Sequence, residues 1–462
     1  MKKVVIIGGG FSGTAVAIHL VQLSAAPLDI TVLEPRAAIG GGVAYSSSDP
    51  VHRINVPATR MQLAGEEEGA FERWYRQQPD FCSDPQAQWG EAIYPQRGAF
   101  GRYLAQRFHQ AARHPRHRLR QVTERAVACE EKCVITEQGK AFAADLIVLA
   151  VSHPPPAVPE RLKGKIPTGK LLENPWQTAA LADIAVHERI AIMGTGLTMA
   201  DVVASLKQRG HQGPILAFSR HGMLSRTDAQ GTKPEWQQCF DVTLSLKQQL
   251  AAIRLAVRQA TAQQLPWQSV LDAVRSQAQG LWQHWSLADK HRFLRHLRTC
   301  WDVHRYRVAP QVYAQVDQLR QQGTLKVLAA RLHDIEYRDN VLHLHLQQRN
   351  GQRDHALADR LILTTGPAHQ ALIQQQPLLK QWADAGQLQS DPLGLGIHVN
   401  TRSEVLDAQM RPNPFLLVAG PAARGTFGEL MGLPQVADHA LKVARQTLAT
   451  LDIPCVTERC CP

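Results

Sequence analysis

Val4-Val5-Ile6-Ile7-Gly8-Gly9-Gly10-Phe11-Ser12-Gly13 carries four apolar, mostly β-branched residues into a glycine-rich turn, and an apolar helical run follows. Such a run ending at glycine reads as a strand entering a tight turn, with Gly13 letting the next helix lie close against the strand. Ile30-Thr31-Val32-Leu33 then leads to Glu34, 24 residues after Gly10. The spacing predicts a βαβ unit. In that unit the free N–H groups of the turn and the positive end of the helix meet a pyrophosphate, while the last residue of the second strand lies beside a ribose. Glu34 at that position accepts hydrogen bonds from ribose hydroxyls and repels a 2′-phosphate.

The design recurs. Ile190-Ala191-Ile192-Met193 runs into Gly194-Thr195-Gly196-Leu197-Thr198-Met199-Ala200-Asp201, and Ile215-Leu216-Ala217-Phe218 precedes Arg220, again 24 residues after the corresponding glycine, Gly196. Arginine in place of glutamate suits bidentate binding of a 2′-phosphate. Met199 stands where a third glycine would allow close helix packing, although Ala200 beside it is small; a strand–turn–helix that binds nothing is the alternative reading. Together the motifs imply FAD or NAD at the first turn and NADPH at the second.

A chain of 462 residues calls for two or three domains, and 44% hydrophobic content without low-complexity tracts makes it globular throughout. The excess of 51 Lys and Arg over 40 Asp and Glu gives a formal charge of +11, which favours anionic ligands. The basic residues are dispersed rather than blocked, so nucleic acid is not expected as a partner. The apolar stretch after Met1-Lys2-Lys3 is too short for a signal peptide, and no run approaches a membrane span, so a soluble, cytoplasmic protein with a small-molecule substrate is expected. Oligomeric state is left open.

The eight cysteines include no C-x-x-C pair: Cys129 and Cys133 fall in a β-meander, and Cys455, Cys460 and Cys461 in a C-terminal tail. Neither a disulfide framework, a zinc site nor a dithiol that exchanges electrons with a flavin is expected. His109, His114, His117, His291, His296 and His304 read as solvated helix faces, and no metal is expected.

The predicted fold class is α/β, with two Rossmann-like dinucleotide-binding domains, the first split in sequence around the second, and a helical insertion. The first domain is assigned to 1–155 and 385–462, the second to 186–384, and the insertion to 225–315. Ala144 to Ala150 reads as a buried parallel strand, and Pro154-Pro155-Pro156 with Pro159 as a rigid linker. The insertion holds Trp267, Trp282, Trp285, Trp301, Arg292, Arg295, Arg298, Arg305 and Arg307. It reads as a cap with core tryptophans and a solvated arginine face; a lid over an anionic substrate is the sharper alternative. Phe415 to Pro421 is a strand entering another glycine turn, followed by a helix from about Leu433 to Leu448. In a split domain that strand completes the first sheet, and the helix N-terminus points at the flavin, where it stabilises negative charge on a reduced ring; plain C-terminal docking is the alternative.

This order of motifs, with the Pro-rich crossing after Val148 to His153 and the C-terminal return, resembles the flavoproteins with two dinucleotide domains, including the class B flavin monooxygenases. Gly42-Val43-Ala44-Tyr45, Asn55 to Met61, Tyr94 to Tyr103 and Gly194 to Asp201 are similar to a bacterial FAD/NAD(P)-binding family. The resemblance implies FAD at Gly8, Gly10, Phe11, Ser12, Gly13, Glu34, Pro35, Tyr45, Asn55, Met61, Gly420, Pro421 and Leu433, and NADPH at Gly194, Thr195, Gly196, Leu197, Thr198 and Arg220. In the monooxygenases an asparagine followed by a methionine lies beside the flavin, so Asn55 is the catalytic candidate; a turn residue ahead of Pro57 is its alternative reading. The phenylalanine–glycine–histidine fingerprint that precedes their second motif is not evident. The resemblance implies an NADPH-dependent monooxygenase that hydroxylates a small polar molecule through a flavin hydroperoxide. A flavin reductase without oxygen insertion, or a redox-sensing flavoprotein without turnover, is the alternative.

Overall fold

The structure, a computed structural model, describes residues 1–456 apart from 152, 230, 232 and 233. Ser152 in the crossing and Cys460 and Cys461 in the tail lie outside the described residues.

The strand Lys2–Ile7 is central to a six-stranded sheet, pairing in parallel with Leu28–Leu33 on one side and Leu146–Leu149 on the other. Arg118–Val122 extends the sheet past Leu28–Leu33. At the opposite edge the late strand Pro412–Val418 pairs in parallel with Leu146–Leu149, and Glu404–Leu406 closes the edge antiparallel. The chain therefore leaves this sheet and returns to it. Val4, Val5, Ile6 and Ile7 are all buried because helices cover one face and a small three-stranded layer covers the other, which is why the strand reads as a continuous apolar run rather than an alternating one. The helix Phe11–Leu23 is buried from Ser12 through Val21, held between the helices Arg97–Ala112 and Gln435–Thr450.

A second sheet has seven strands. Leu171–Leu172, Arg360–Leu363, Ile190–Met193, Ile215–Ser219 and Leu325–Arg338 run parallel in that spatial order, and Val341–Gln348 and Arg353–Ala358 extend it as antiparallel hairpins. The first hairpin turns at Asp339 and Asn340, both at positive φ, as a tight right-twisted turn demands.

Two joints differ from the sequence boundaries. Leu162 and Leu171 already pack in the second unit's core, ahead of 186. Leu372, Ile373, Leu378, Leu379 and Trp382 pack with Val5, Ile7 and Leu149 of the first unit, so the chain rejoins that core ahead of 385. Nothing local marks either joint, because it is decided by which core receives an apolar face. The insertion comprises the helices Leu246–Ala262, Trp267–His284, Leu287–Arg292 and Arg298–Arg305 with a π-turn at Phe293–Leu297. The next helix, Pro310–Gln321, belongs to the second unit, where it packs against Leu197–Gln208; the insertion ends before 315. Among the described residues no helix is long and apolar enough to cross a membrane.

Buried polar contacts join the units. Arg97 and Asp201 form an ion pair at 2.8 Å with both side chains under 8% exposed. Ser205 Oγ donates to Asp49 Oδ2 at 2.9 Å and meets His52 Nε2 at 3.0 Å. The helix after the second glycine turn is thereby fixed to the first unit.

Candidate cofactor sites and the cap cavity

At the first turn Gly8 has φ +103°, and a Cβ there would stand 2.6 Å from the Ala150 carbonyl oxygen. A Cβ on Gly13 would come within 1.9 Å of the Gly8 carbonyl oxygen, so strand, turn and helix close only on glycine. Gly10 is the N-cap of the helix and offers no side chain, leaving the first N–H groups available to an anion. Glu34 is 2% exposed. Its Oε2 accepts from Gly9 N at 2.8 Å and its Oε1 from Arg36 N and Nη1, each at 3.0 Å, which holds the carboxylate at the strand end with lone pairs to spare.

A cleft of about 240 Å³ opens here. Gly8, Gly10, Phe11, Ser12, Glu34, Pro35 and Tyr45 line it from the first segment, and Pro421 and Leu433 from the returning segment. Gly420 lies behind the wall: at φ +84° its Cβ would fall 2.2 Å from Ser12 Oγ, and its N–H donates to His439 Nδ1 at 3.0 Å. That bond leaves the proton of the neutral ring on Nε2, which donates to Ser403 Oγ at 3.1 Å. Burial pushes the His439 pKa down to about 3. The helix Gln435–Thr450 begins just past Leu433, and Val436 of its first turn also lines the cleft.

Two expectations fail here. Met61 is 3% exposed and belongs to the hydrophobic core, not to the cleft. Asn55 is half-buried and lines neither this cleft nor the cap cavity; among the described residues its side chain has no hydrogen-bond partner, so the turn role is not seen either. Their placement rested on order along the chain, whereas the 3-10 turn Ala58–Arg60 swings Met61 inward. Gly13 packs rather than lines. His117 is buried, not solvated, and accepts from Leu28 N at 3.3 Å. Sequence reasoning missed Arg36, Gly42, Gln376, Met431 and Gly432 on the cleft wall. Arg36 and Gly42 carried a signal, being next to Glu34 and in the glycine triplet; Gln376 carried none.

The second turn has other surroundings. Gly194 has φ +120°, and its Cβ would lie 2.5 Å from the Thr364 carbonyl oxygen. Thr195 Oγ1 donates to the Met223 carbonyl at 2.6 Å and meets Ser219 Oγ at 2.8 Å, so the segment after the second strand folds over one side of the turn. The enclosed space there is about 10 Å³, the size of one water. The other side is open: nothing stands within 4 Å of a Cβ placed on Gly196, while Leu197 and Thr198 are half-buried. Arg220 is exposed at the strand end, and Arg349 and Arg331 add to its field at His221, whose pKa is lowered by burial and then by these cations. Backbone access and a cluster of positive charge fit an anionic ligand lying across the open side.

The insertion is neither a solid core nor a solvated shell. Trp267, Trp282, Trp285 and Trp301 line a cavity of about 790 Å³. Arg305 is buried against Glu429 (Nε to Oε1 2.6 Å), and Arg307 is buried against Asp228 at 2.9 Å and Asp272 at 2.7 Å. These arginines latch elements together, contrary to their reading as a solvated face. The latch reaches the returning segment: Trp282 Nε1 donates to the Gly425 carbonyl at 2.8 Å, and Arg275 donates to the Leu433 carbonyl and to Gln435. Gly428, at φ +73°, is pressed so close that its Cβ would stand 2.6 Å from Trp282 Cγ. The segment 421–433 is consequently a shared wall, with Pro421, Met431 and Leu433 on the cofactor cleft and Arg424, Gly428 and Glu429 on the cap cavity.

Residues 5–154 match the family described as FAD-NAD(P)-binding. That match lies within the first unit. No curated protein matches the chain. Among solved structures it is similar to an L-lysine 6-monooxygenase from Pseudomonas syringae, with TM-score 0.62 and 15% identity over 98% of this chain and 99% of that one. It is similar to the reduced form of an ornithine hydroxylase from Pseudomonas aeruginosa, with TM-score 0.61 and 14% identity over 98% of this chain and 100% of that one. A thioredoxin reductase from T. acidophilum matches at TM-score 0.51 and 11% identity, over 98% of this chain and 100% of that one. At these identities the likeness is one of fold. The chain shares with these proteins a two-domain α/β fold.

Proposed function

We propose that this chain is an NADPH-dependent FAD oxidoreductase that works as a monooxygenase on a substrate held in the cap cavity. The shared wall at 421–433 carries the reading, because it puts a largely apolar cavity directly behind the cofactor cleft. FAD, when bound, accepts a hydride and passes the electrons on to oxygen or another acceptor. The chain's own groups bind and orient: the N–H groups after Gly10 receive the pyrophosphate, Glu34 the ribose, and the helix start beyond Leu433 offers positive potential to a reduced ring. The open side of Gly196 and Arg220 receive NADPH. Monooxygenases among the structural neighbours, acting on lysine and ornithine by their descriptions, support the class.

Among the described residues no cysteine lines the cofactor cleft, which speaks against electron transfer through a dithiol. A reductase without oxygen insertion is the second reading, favoured by one observation: Asn55, the residue offered for oxygen chemistry, lies off both cavities.

The test is anaerobic mixing of the flavin-loaded protein with NADPH or NADH, followed by oxygen and candidate substrates. NADPH should bleach the flavin far faster than NADH, and NADPH consumption should track hydroxylated product. Bleaching with no oxygenated product from any substrate moves the reading to a reductase. Arg220→Ala should weaken NADPH at least about tenfold and NADH less than about twofold; equal losses remove the phosphate-binding role.

A further inference from the structure

Arg424 opens the short helix Arg424–Phe427 on the shared wall and lines the cap cavity at 7% exposure. Its Nε has no partner among the described residues. Among the described residues the guanidinium's one hydrogen-bond contact is a long one, Nη1 to His369 Nε2 at 3.5 Å. His369 brings no charge: burial, then the Arg424 cation itself, push its pKa down to about 3. The nearby carboxylates are committed elsewhere, Asp302 to Arg298 Nε at 3.3 Å and Glu429 to Arg305 and to Trp301 Nε1 at 3.4 Å. A buried guanidinium lacking a carboxylate is costly, and a ligand that supplies one offsets the cost.

The remainder of the cavity says what that ligand carries behind its charge. Leu250, Ile253, Trp267, Trp282, Trp285 and Phe293 form apolar walls around a volume of about 790 Å³, enough for a long or polycyclic hydrocarbon body and far more than a small polar molecule needs. Arg226, Arg254, Arg258 and Arg298 also line the cavity, but the first three are exposed at its rim and Arg298 is bonded to Asp302, so Arg424 is the buried guanidinium of the lining without a carboxylate among the described residues. That one cation matches a single carboxylate in bidentate geometry.

We propose that the cap cavity binds an amphipathic monocarboxylate, its hydrocarbon body among the tryptophans and its carboxylate on Arg424 at the wall shared with the cofactor cleft. As the substrate of the enzyme this ligand rests on the oxidoreductase reading; as a bound ligand it stands without it.

The cavity tryptophans supply the measurement. The purified full-length protein is titrated with dodecanoate, dodecanol and dodecyltrimethylammonium below their micelle concentrations, following tryptophan fluorescence, and NADPH bleaching is recorded on the same samples. Dodecanoate should bind at least about tenfold more tightly than the alcohol, with the cation weaker still. This comparison needs no variant and so cannot be confused with misfolding. Arg424→Gln should bring dodecanoate down to the affinity of dodecanol, and Ile253→Trp, which fills the cavity with Arg424 intact, should weaken both.

Equal binding of the three ligands overturns the proposal. So does dodecanoate binding that survives Arg424→Gln and is lost in Arg254→Ala, which would put the head at the outer rim. Loss of flavin from Arg424→Gln with unchanged dodecanoate affinity also overturns it, by assigning the guanidinium to the cofactor. Charge-selective, Arg424-dependent binding in a protein whose flavin NADPH never bleaches would leave this site standing and remove the oxidoreductase reading.

Discussion

The glycine turns at Gly8 and Gly194 share a strand, a helix and a spacing to a charged residue, yet they face different neighbourhoods. The first opens on a cleft of about 240 Å³ that a distant segment covers, with Glu34 buried and held by three hydrogen bonds. The second encloses about 10 Å³ and offers an open backbone face and an exposed arginine. A group that stays through every cycle is served by a covered, preorganised cleft. One that arrives and leaves is better served by an open face and a steering charge. The motif sets what is recognised; the covering decides how long it remains.

Substituting one glycine in each turn should break the two sites in opposite ways. Gly13→Ala should have the largest effect, since its Cβ meets the Gly8 carbonyl oxygen at 1.9 Å and neither backbone can yield without opening the turn. We expect flavin-free protein and a loss of about 2 kcal/mol or more, read by flavin content and thermal unfolding; a flavin-replete variant would mean that the first turn is less rigid than its geometry. Gly196→Ala should be quieter. With nothing within 4 Å, its methyl should change stability by less than about 0.5 kcal/mol while weakening NADPH roughly tenfold, by standing where the pyrophosphate approaches. Unchanged NADPH affinity would argue that the ligand does not cross that face.

The smallest effect concerns the cover over the first turn. His19, His369 and His439 are buried with pKa values lowered to about 4, about 3 and about 3 from the ordinary 6.5. The unfolded chain binds these protons first as pH falls, so their contribution to stability is complete above 6.5 and declines from there toward pH 3. For His439 alone the loss at pH 6 is on the order of 1 kcal/mol. Protonation would also turn its Nδ1 from an acceptor of Gly420 N–H into a donor. Urea midpoints at pH 7, 6 and 5 should fall steadily in the wild type and less steeply in His439→Gln; parallel slopes would exclude this histidine as a source of acid sensitivity.

Legibility in the sequence tracked the range of the interaction. Glu34 and Arg220 could be placed because strand, turn, helix and strand are contiguous, and the geometry of the unit fixes where the last residue falls. Asn55 and Met61 escape such placement because their position depends on how a loop packs. Arg97 and Asp201 stand in two separate motifs, and nothing along the chain says that they form a buried ion pair across the units. The same holds for Arg305 and Glu429, whose partnership needs the insertion to fold back over the C-terminal segment.

The sequence by itself determined two βαβ units, the sign of the charge at each strand end, a split first sheet and a helical insertion, because each of these is encoded in local periodicity and spacing. Only the tertiary structure decided which turn is covered, that the tryptophans surround a cavity rather than fill a core, and that Arg424 has no carboxylate partner among the described residues. Those properties depend on which surfaces meet. Burial and charge pairing are sums over residues distant in the chain, and no local pattern records them.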